Sequence, residues 1–204
     1  MLDEATFLIV RDIGRDLFLR GLISSHAGNM SVRAGRTIHI TRRGSMLGRL
    51  RREDMVDVDM KESDECVPAA SSELAAHRAV YSSTQAHAVI HAHPPYATLL
   101  SMMREEIVSI DFEGSYLLKA VPVIVAEKNM GSEEAAAAVS NALQDHDVVV
   151  VRGHGSFARG DTPEEAFMFT TSLEASSFYV YHMHEARKGR AVPGTNKKRG
   201  RRPL

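Results

Sequence analysis

The chain has 204 residues, 44% hydrophobic and 25% charged, with 25 basic against 26 acidic side chains. That is enough for one domain with a sizeable core, and the balanced charge argues against a nucleic-acid or membrane-surface binder. One cysteine, Cys66, excludes an intramolecular disulfide and fits a reducing compartment. The start Met1-Leu2-Asp3-Glu4 lacks the features of a signal peptide, and no apolar run could span a bilayer, so a cytoplasmic protein is expected.

In chain order, apolar residues from Phe7 to Leu19 recur at roughly helical spacing over about residues 3–20, and Gly21 can close that helix. The stretch Ser24-Ser25-His26-Ala27-Gly28-Asn29 follows. Its glycine and amide could bring N–H groups to an anion, or form a plain turn before a strand. Thr37–Thr41 alternates as a strand and runs into Arg42-Arg43-Gly44-Ser45. Two arginines beside a glycine could hold a phosphate, or make a solvated basic turn. Met55–Met60 alternates as another strand. Ser71 or Ser72 is expected to cap a helix running through Tyr81, with Glu73 in its first turn. A carboxylate there suits the helix dipole, and Glu73 with His77 could also pair on a metal; packing of His77 in the core is the simpler reading.

Ala88-Val89-Ile90-His91-Ala92-His93-Pro94-Pro95 is the most informative stretch. Its β-branched residues favour an extended chain and the prolines stop it. Residues two apart on a strand share a face, so His91 and His93 should project together as half a metal site. His87 is a weaker third candidate. Residues 96–103 read as a short helix. Ile110–Tyr116 reads as a loop carrying Asp111, Glu113 and Tyr116, and Val121–Val125 as an edge strand because of Pro122. Ser132 opens an alanine-rich helix to about Leu143. Val148–Val151 is a strand buried on both faces, and it ends in Arg152-Gly153-His154-Gly155. Glycine on each side can aim that imidazole sharply, making His154 the best third ligand; the alternative is a turn histidine. Thr162-Pro163-Glu164-Glu165 opens a last helix to about Ala186, and residues 191–204 form a basic tail expected to be disordered.

Three neutral imidazoles from His91, His93 and His154 with one carboxylate match a zinc site. Glu73 suits the fourth position, because a carboxylate can leave the metal and accept a proton.

At this point the chain resembles the class II aldolase/adducin family over about residues 5–185. The resemblance is carried by Gly28-Asn29-Met30-Ser31, Thr41–Gly44, Ser71-Ser72-Glu73, His91-Ala92-His93-Pro94 and Gly153-His154-Gly155, in that order. It implies a catalytic domain over residues 1–190 with an α/β fold of three layers. A central, mostly antiparallel sheet would carry helices on both faces; periodicity alone gives only a mixture of helix and strand. It further implies Zn2+, or another divalent metal, on His91, His93, His154 and Glu73, with Glu73 as the acid/base. Gly28, Asn29, Arg43, Gly44, Ser71 and Ser72 would hold the substrate phosphate. The implied activity is cleavage of a small ketose 1-phosphate, L-fuculose 1-phosphate or one like it, to dihydroxyacetone phosphate and an aldehyde through a metal-stabilised enediolate. The same scaffold also serves methylthioribulose-1-phosphate dehydratases, sugar-acid phosphate decarboxylases and non-enzymatic adducin-like proteins. A homotetramer with sites at subunit interfaces is implied as well. Two positions depart from the fuculose-type pattern: Arg43 replaces a threonine, and Phe112 stands near the place of the tyrosine that protonates the aldehyde oxygen, so that Glu113, Tyr116 or a tyrosine on the last helix would have to serve as the acid, or that step differs.

Overall fold

A computed structural model describes residues 2–61, 66–126 and 131–188. The expected basic tail therefore lies outside the described residues. Eight strands form one sheet in the order β3-β2-β1-β4-β8-β7-β6-β5, and all its pairings are antiparallel except β6 with β7. The strands are β1 (Asn29–Ala34), β2 (Thr37–Thr41), β3 (Met55–Asp59), β4 (Ala88–Ala92), β5 (Glu106–Val108), β6 (Ala120–Ile124), β7 (Val148–Val151) and β8 (Gly155–Gly160). The helices are α1 (Glu4–Leu19), α2 (Leu74–Ser83), α3 (Pro95–Ser101), α4 (Phe112–Leu117), α5 (Glu133–Asp145) and α6 (Pro163–Lys188).

The sheet separates two apolar cores, which makes the three layers the family resemblance implies. On one face Phe7, Val10, Ile13 and Leu17 of α1 and Phe169 and Leu173 of α6 pack with Ile90, Val148 and Val150. On the other, Val80 and Tyr81 of α2 and Val139 and Leu143 of α5 pack with Val89, Val149 and Val151. The valine run of β7 thus sends alternate side chains to opposite cores, as a strand covered on both faces must. Caps follow local chemistry: Asp3 accepts from the Thr6 N–H at α1, and Ser132 from Ala135 at α5.

Four local expectations are corrected. The cap of α2 is Glu73 itself, one residue before the first turn, with the Ser71 hydroxyl accepting its N–H at 3.3 Å. Strand β4 stops at Ala92, and the His93 N–H turns to the Leu22 carbonyl at 2.7 Å. Residues 110–116 are not all loop, because Asp111 accepts from Gly114 and starts the short helix α4. Finally, β6 is not an edge strand; the three-residue β5 covers it. The Val123 N–H points to β5, on the Glu105 carbonyl, so the Pro122 nitrogen faces β7, whose pairing starts only at Val123.

Candidate metal and phosphate site

The site forms where four loops and strand ends meet at one edge of the central strands. Register places Asn29 of β1 directly opposite His91 of β4. On the other side of β4, His91 lies opposite Phe157 of β8, whose ring stacks under the imidazole at 4.3 Å between centroids. The β7–β8 hairpin brings His154 round: Gly153 turns at φ +67°, and Val151 then pairs with Gly155. Gly155 must be glycine, since a Cβ there would lie 2.3 Å from the Ala92 carbonyl oxygen and 2.7 Å from the His93 ring. His154 therefore arrives because the β8 backbone can press against the end of β4.

The three imidazoles converge, with one ring nitrogen from each within 4.8 Å of the others. His91 Nε2 and His93 Nε2 are 2.9 Å apart. The Nδ1 of His91 lies 2.9 Å from the Ser156 carbonyl oxygen, which can only accept, so the hydrogen of a neutral ring sits on Nδ1. That leaves the Nε2 lone pair facing the other histidines, the arrangement in which a backbone carbonyl orients a ligating imidazole. Glu73 closes the ring of groups: Oε1 is 3.1 Å from His154 Nε2, and Oε2 is 3.4 Å from His91 Nε2. These donors fit a divalent ion that takes imidazole and carboxylate ligands.

Charge states agree with that fit. Burial would raise the Glu73 carboxyl, but His91 beside it and hydrogen bonds from His154 and Asn29 outweigh burial and hold it down at about 2. Burial pushes His91 down to about 3 against the pull of Glu73, and it lowers His93 in the same direction. At neutral pH Glu73 is therefore an ionised carboxylate, and His91 and His93 offer unprotonated nitrogens.

The stretches expected to hold phosphate lie against this cluster. Gly28, Asn29, Arg43, Gly44, Ser71 and Ser72 all line one cavity of about 180 Å³ with Glu73 and the three histidines. Backbone hydrogen bonds explain the meeting: Arg43 N–H donates to Ala69 and Ser71 N–H to Thr41, at 3.0 and 3.1 Å. The arginine turn is thereby stitched to the serines. At Gly28, φ is +79°, and a Cβ would come within 2.9 Å of the His91 carbonyl oxygen. Arg42 also borders the cavity, although its guanidinium donates to the Glu53 carbonyl at 3.1 and 3.2 Å.

Glu113 and Tyr116 sit on α4 and do not line this cavity; Tyr116 is 79% exposed and its neighbour Phe112 is 91% exposed. His87 is exposed at the start of β4, four residues from His91. His77 is no partner of Glu73 on a metal, because its Nε2 lies 2.6 Å from the Asn29 side-chain oxygen. His26, two residues before Gly28 on the same turn, also lines the cavity, a place its position beside that glycine signals.

The profile of the Class II Aldolase and Adducin N-terminal domain matches residues 9–180. The chain belongs to the class II aldolase and adducin family. It is 38% identical to the L-fuculose-1-phosphate aldolase of Thermus thermophilus, whose crystal structure superposes with a TM-score of 0.86 over 93% of this chain and 98% of that one. It is 30% identical over 163 residues to the L-fuculose phosphate aldolase of Methanocaldococcus jannaschii, covering 79% of this chain and 88% of that protein. It is also 30% identical over 195 residues to the methylthioribulose-1-phosphate dehydratase of Methylococcus capsulatus, covering 87% and 93%. Class II aldolases use a divalent metal and bind phosphorylated sugars, and the histidine cluster is the group here that could hold such a metal. No helix among the described residues is long and apolar enough to cross a membrane.

Proposed function

We propose that this class II aldolase family member reversibly cleaves a small ketose 1-phosphate, L-fuculose 1-phosphate or one close to it, to dihydroxyacetone phosphate and an aldehyde. The observation that carries this reading is the single cavity in which the three histidines and Glu73 adjoin the phosphate-suited turns. His91, His93 and His154 would hold the metal, for which we propose zinc, with Glu73 as the displaceable fourth ligand. When bound, such an ion supplies a Lewis acid for a carbonyl oxygen.

The chain's own residues do the rest. Gly28, Asn29, Gly44, Ser71 and Ser72 offer N–H and O–H donors to the phosphate, and Arg43 adds a positive charge. Holding the phosphate fixes the distance from the three-carbon unit to Glu73. Glu73, ionised at neutral pH, takes the proton from the carbon that bears the hydroxyl beside the carbonyl; in the cleavage direction it returns that proton. Glu113 or Tyr116, lying outside the cavity of its own chain, would serve as the aldehyde acid from a neighbouring copy in the proposed homotetramer.

Dehydration of methylthioribulose 1-phosphate is the second reading, supported by the relative from Methylococcus capsulatus. It can begin with a similar proton removal but expels a hydroxyl group instead of an aldehyde. A product assay with zinc present separates the two. L-fuculose, L-rhamnulose, ribulose and methylthioribulose 1-phosphates are offered in turn. Release of dihydroxyacetone phosphate is expected; loss of water with the carbon chain intact would replace the aldolase reading by the dehydratase.

A further inference from the structure

Behind the cavity wall a second polar row runs into the core. Asn29 and Ser31 are two apart on β1 and share a face; Glu73, His77 and Tyr81 recur every fourth residue along α2. The two rows interlock. Asn29 Nδ2 is 2.7 Å from Glu73 Oε2, and Asn29 Oδ1 is 2.6 Å from His77 Nε2. His77 Nδ1 is 2.6 Å from the Ser31 hydroxyl, which is 2.7 Å from the Tyr81 phenol. All five side chains are buried, His77 completely.

Elementary donor counting fixes the direction of every bond. Asn29 Nδ2 donates to Glu73 Oε2, which leaves the Asn29 carbonyl facing His77. That carbonyl only accepts, so the hydrogen of the His77 ring is on Nε2. The neutral ring is then bare at Nδ1, and Ser31 must donate to it. Ser31 has spent its one hydrogen, so Tyr81 donates to Ser31. Reversing any one member would leave two acceptors or two donors facing each other in the core, at a cost of the order of one to three kcal/mol.

Asn29 has a second amide hydrogen, and Asn29 also lines the phosphate-suited cavity. We propose that His77, backed by Ser31 and Tyr81, is a positioning residue that locks the Asn29 amide so that one NH2 group holds Glu73 with one hydrogen and the substrate's phosphate with the other. The consequence is coupling: the base is oriented through the same group that senses the phosphate. A phosphate in place then contributes to turnover as well as to binding. Among the five side chains, Asn29 both contacts Glu73 and lines the cavity beside it, so the order of donors behind it decides whether the amide presents nitrogen or oxygen to Glu73.

This inference rests on the proposed aldolase reading for its kinetic arm, but not for its structural one. In the structural arm, ¹⁵N-histidine spectra of the whole protein between pH 6 and 9 should show His77 as a neutral ring with the hydrogen on Nε2. A hydrogen on Nδ1 or a protonated ring would overturn the chain. Titration with inorganic phosphate should shift the Asn29 side-chain amide and the Glu73 carboxyl carbon together in the native protein. In His77→Leu the Glu73 response should be lost; a response that persists would also overturn the coupling. In the kinetic arm, His77→Leu should lower kcat at least tenfold with less than a threefold change in KM and unchanged metal content. His77→Gln, whose amide can donate to Asn29 and accept from Ser31, should recover most of that loss. Equal losses in both folded variants, or a change in KM alone, would overturn it. Should His77→Leu not fold, Tyr81→Phe takes its place in both arms, with a smaller fall in kcat expected. A native protein that passes the structural arm yet cleaves none of the sugar phosphates would sink the aldolase reading and leave the chain standing.

Discussion

A carboxylate and an imidazole four residues apart on one helix meet opposite fates here. Glu73 faces the cavity, held ionised by His91, His154 and Asn29, whereas His77 faces the core and is held neutral by burial. Replacing Glu73 by Gln keeps the size and removes the proposed base. The three histidines remain, so metal content measured by elemental analysis should stay near that of the native protein, while kcat falls by ~10²–10⁴-fold. Survival of turnover would remove Glu73 from the role of base. For His77 the test is stability. Burial lowers its pKa to about 4 from an ordinary 6.5. The unfolded chain therefore binds a proton at this residue between those two values while the folded chain does not, so folding weakens as pH falls through that window. Above 6.5 neither state is protonated there and the penalty vanishes. Urea unfolding at pH 7 and at pH 4.5 should show the native protein losing ~2–3 kcal/mol more than His77→Gln. The lowered pKa of His91 acts in the same direction but is common to both proteins, so the difference isolates His77.

At the scale of elements, the site depends on how closely β8 approaches the end of β4. Gly155→Ala would put a methyl group 2.3 Å from the Ala92 carbonyl oxygen, which is backbone and cannot swing aside, and 2.7 Å from the His93 ring. Overpacking of this kind costs ~1–3 kcal/mol, and moving His93 spreads the imidazoles. Thermal unfolding should show the lower stability, and titration with zinc should show at least tenfold weaker binding. The contact pattern also explains what could be read from the residues alone. His91, His93 and His154 were legible because each sits in a local signal: alternation on a strand, prolines that end it, and glycines that turn a hairpin. The turns proposed to hold phosphate were legible as glycine with donors, and their order in the chain pointed to the family. The row of Asn29 and Ser31 against Glu73, His77 and Tyr81 was not, although each half has a regular spacing. Nothing local says that β1 lies beside α2; that follows from the β1–β4 pairing and from helix packing across the sheet. The same limit hid α4, whose cap Asp111 reads as one more acidic residue of a loop, and β5, whose three residues are too few for a period.

Among the described residues, several large apolar side chains lie exposed on neighbouring elements. Phe112 and Tyr116 of α4, Met102 and Met103 after α3, and Phe178, Tyr179 and Met183 of α6 are all exposed. The elements belong together, since α3 and α4 both pack on α6. Scattered apolar side chains are ordinary on a surface, but large ones gathered on neighbouring helices mark an association site. Phe112 is 91% exposed, so its ring contributes almost nothing to the folding of its own chain. These are the elements on which the proposed homotetramer would form, and α4 also carries Glu113 and Tyr116. In light scattering the native protein should therefore have a mass about four times the 22.5 kDa of one chain. Phe112→Asp replaces an apolar ring by a charge that would have to be desolvated in the interface, and it should shift the protein to smaller species. Because the ring is almost wholly exposed in the protomer, unfolding of the dissociated chain should remain cooperative and zinc binding by the three histidines should persist. Loss of kcat together with the change in mass, and its return when Phe112→Asp is mixed with native protein, would place Glu113 or Tyr116 in the site of a neighbouring copy. A Phe112→Asp protein that dissociates and keeps full turnover would remove both residues from the chemistry. A native protein that stays at the mass of one chain would remove the tetramer.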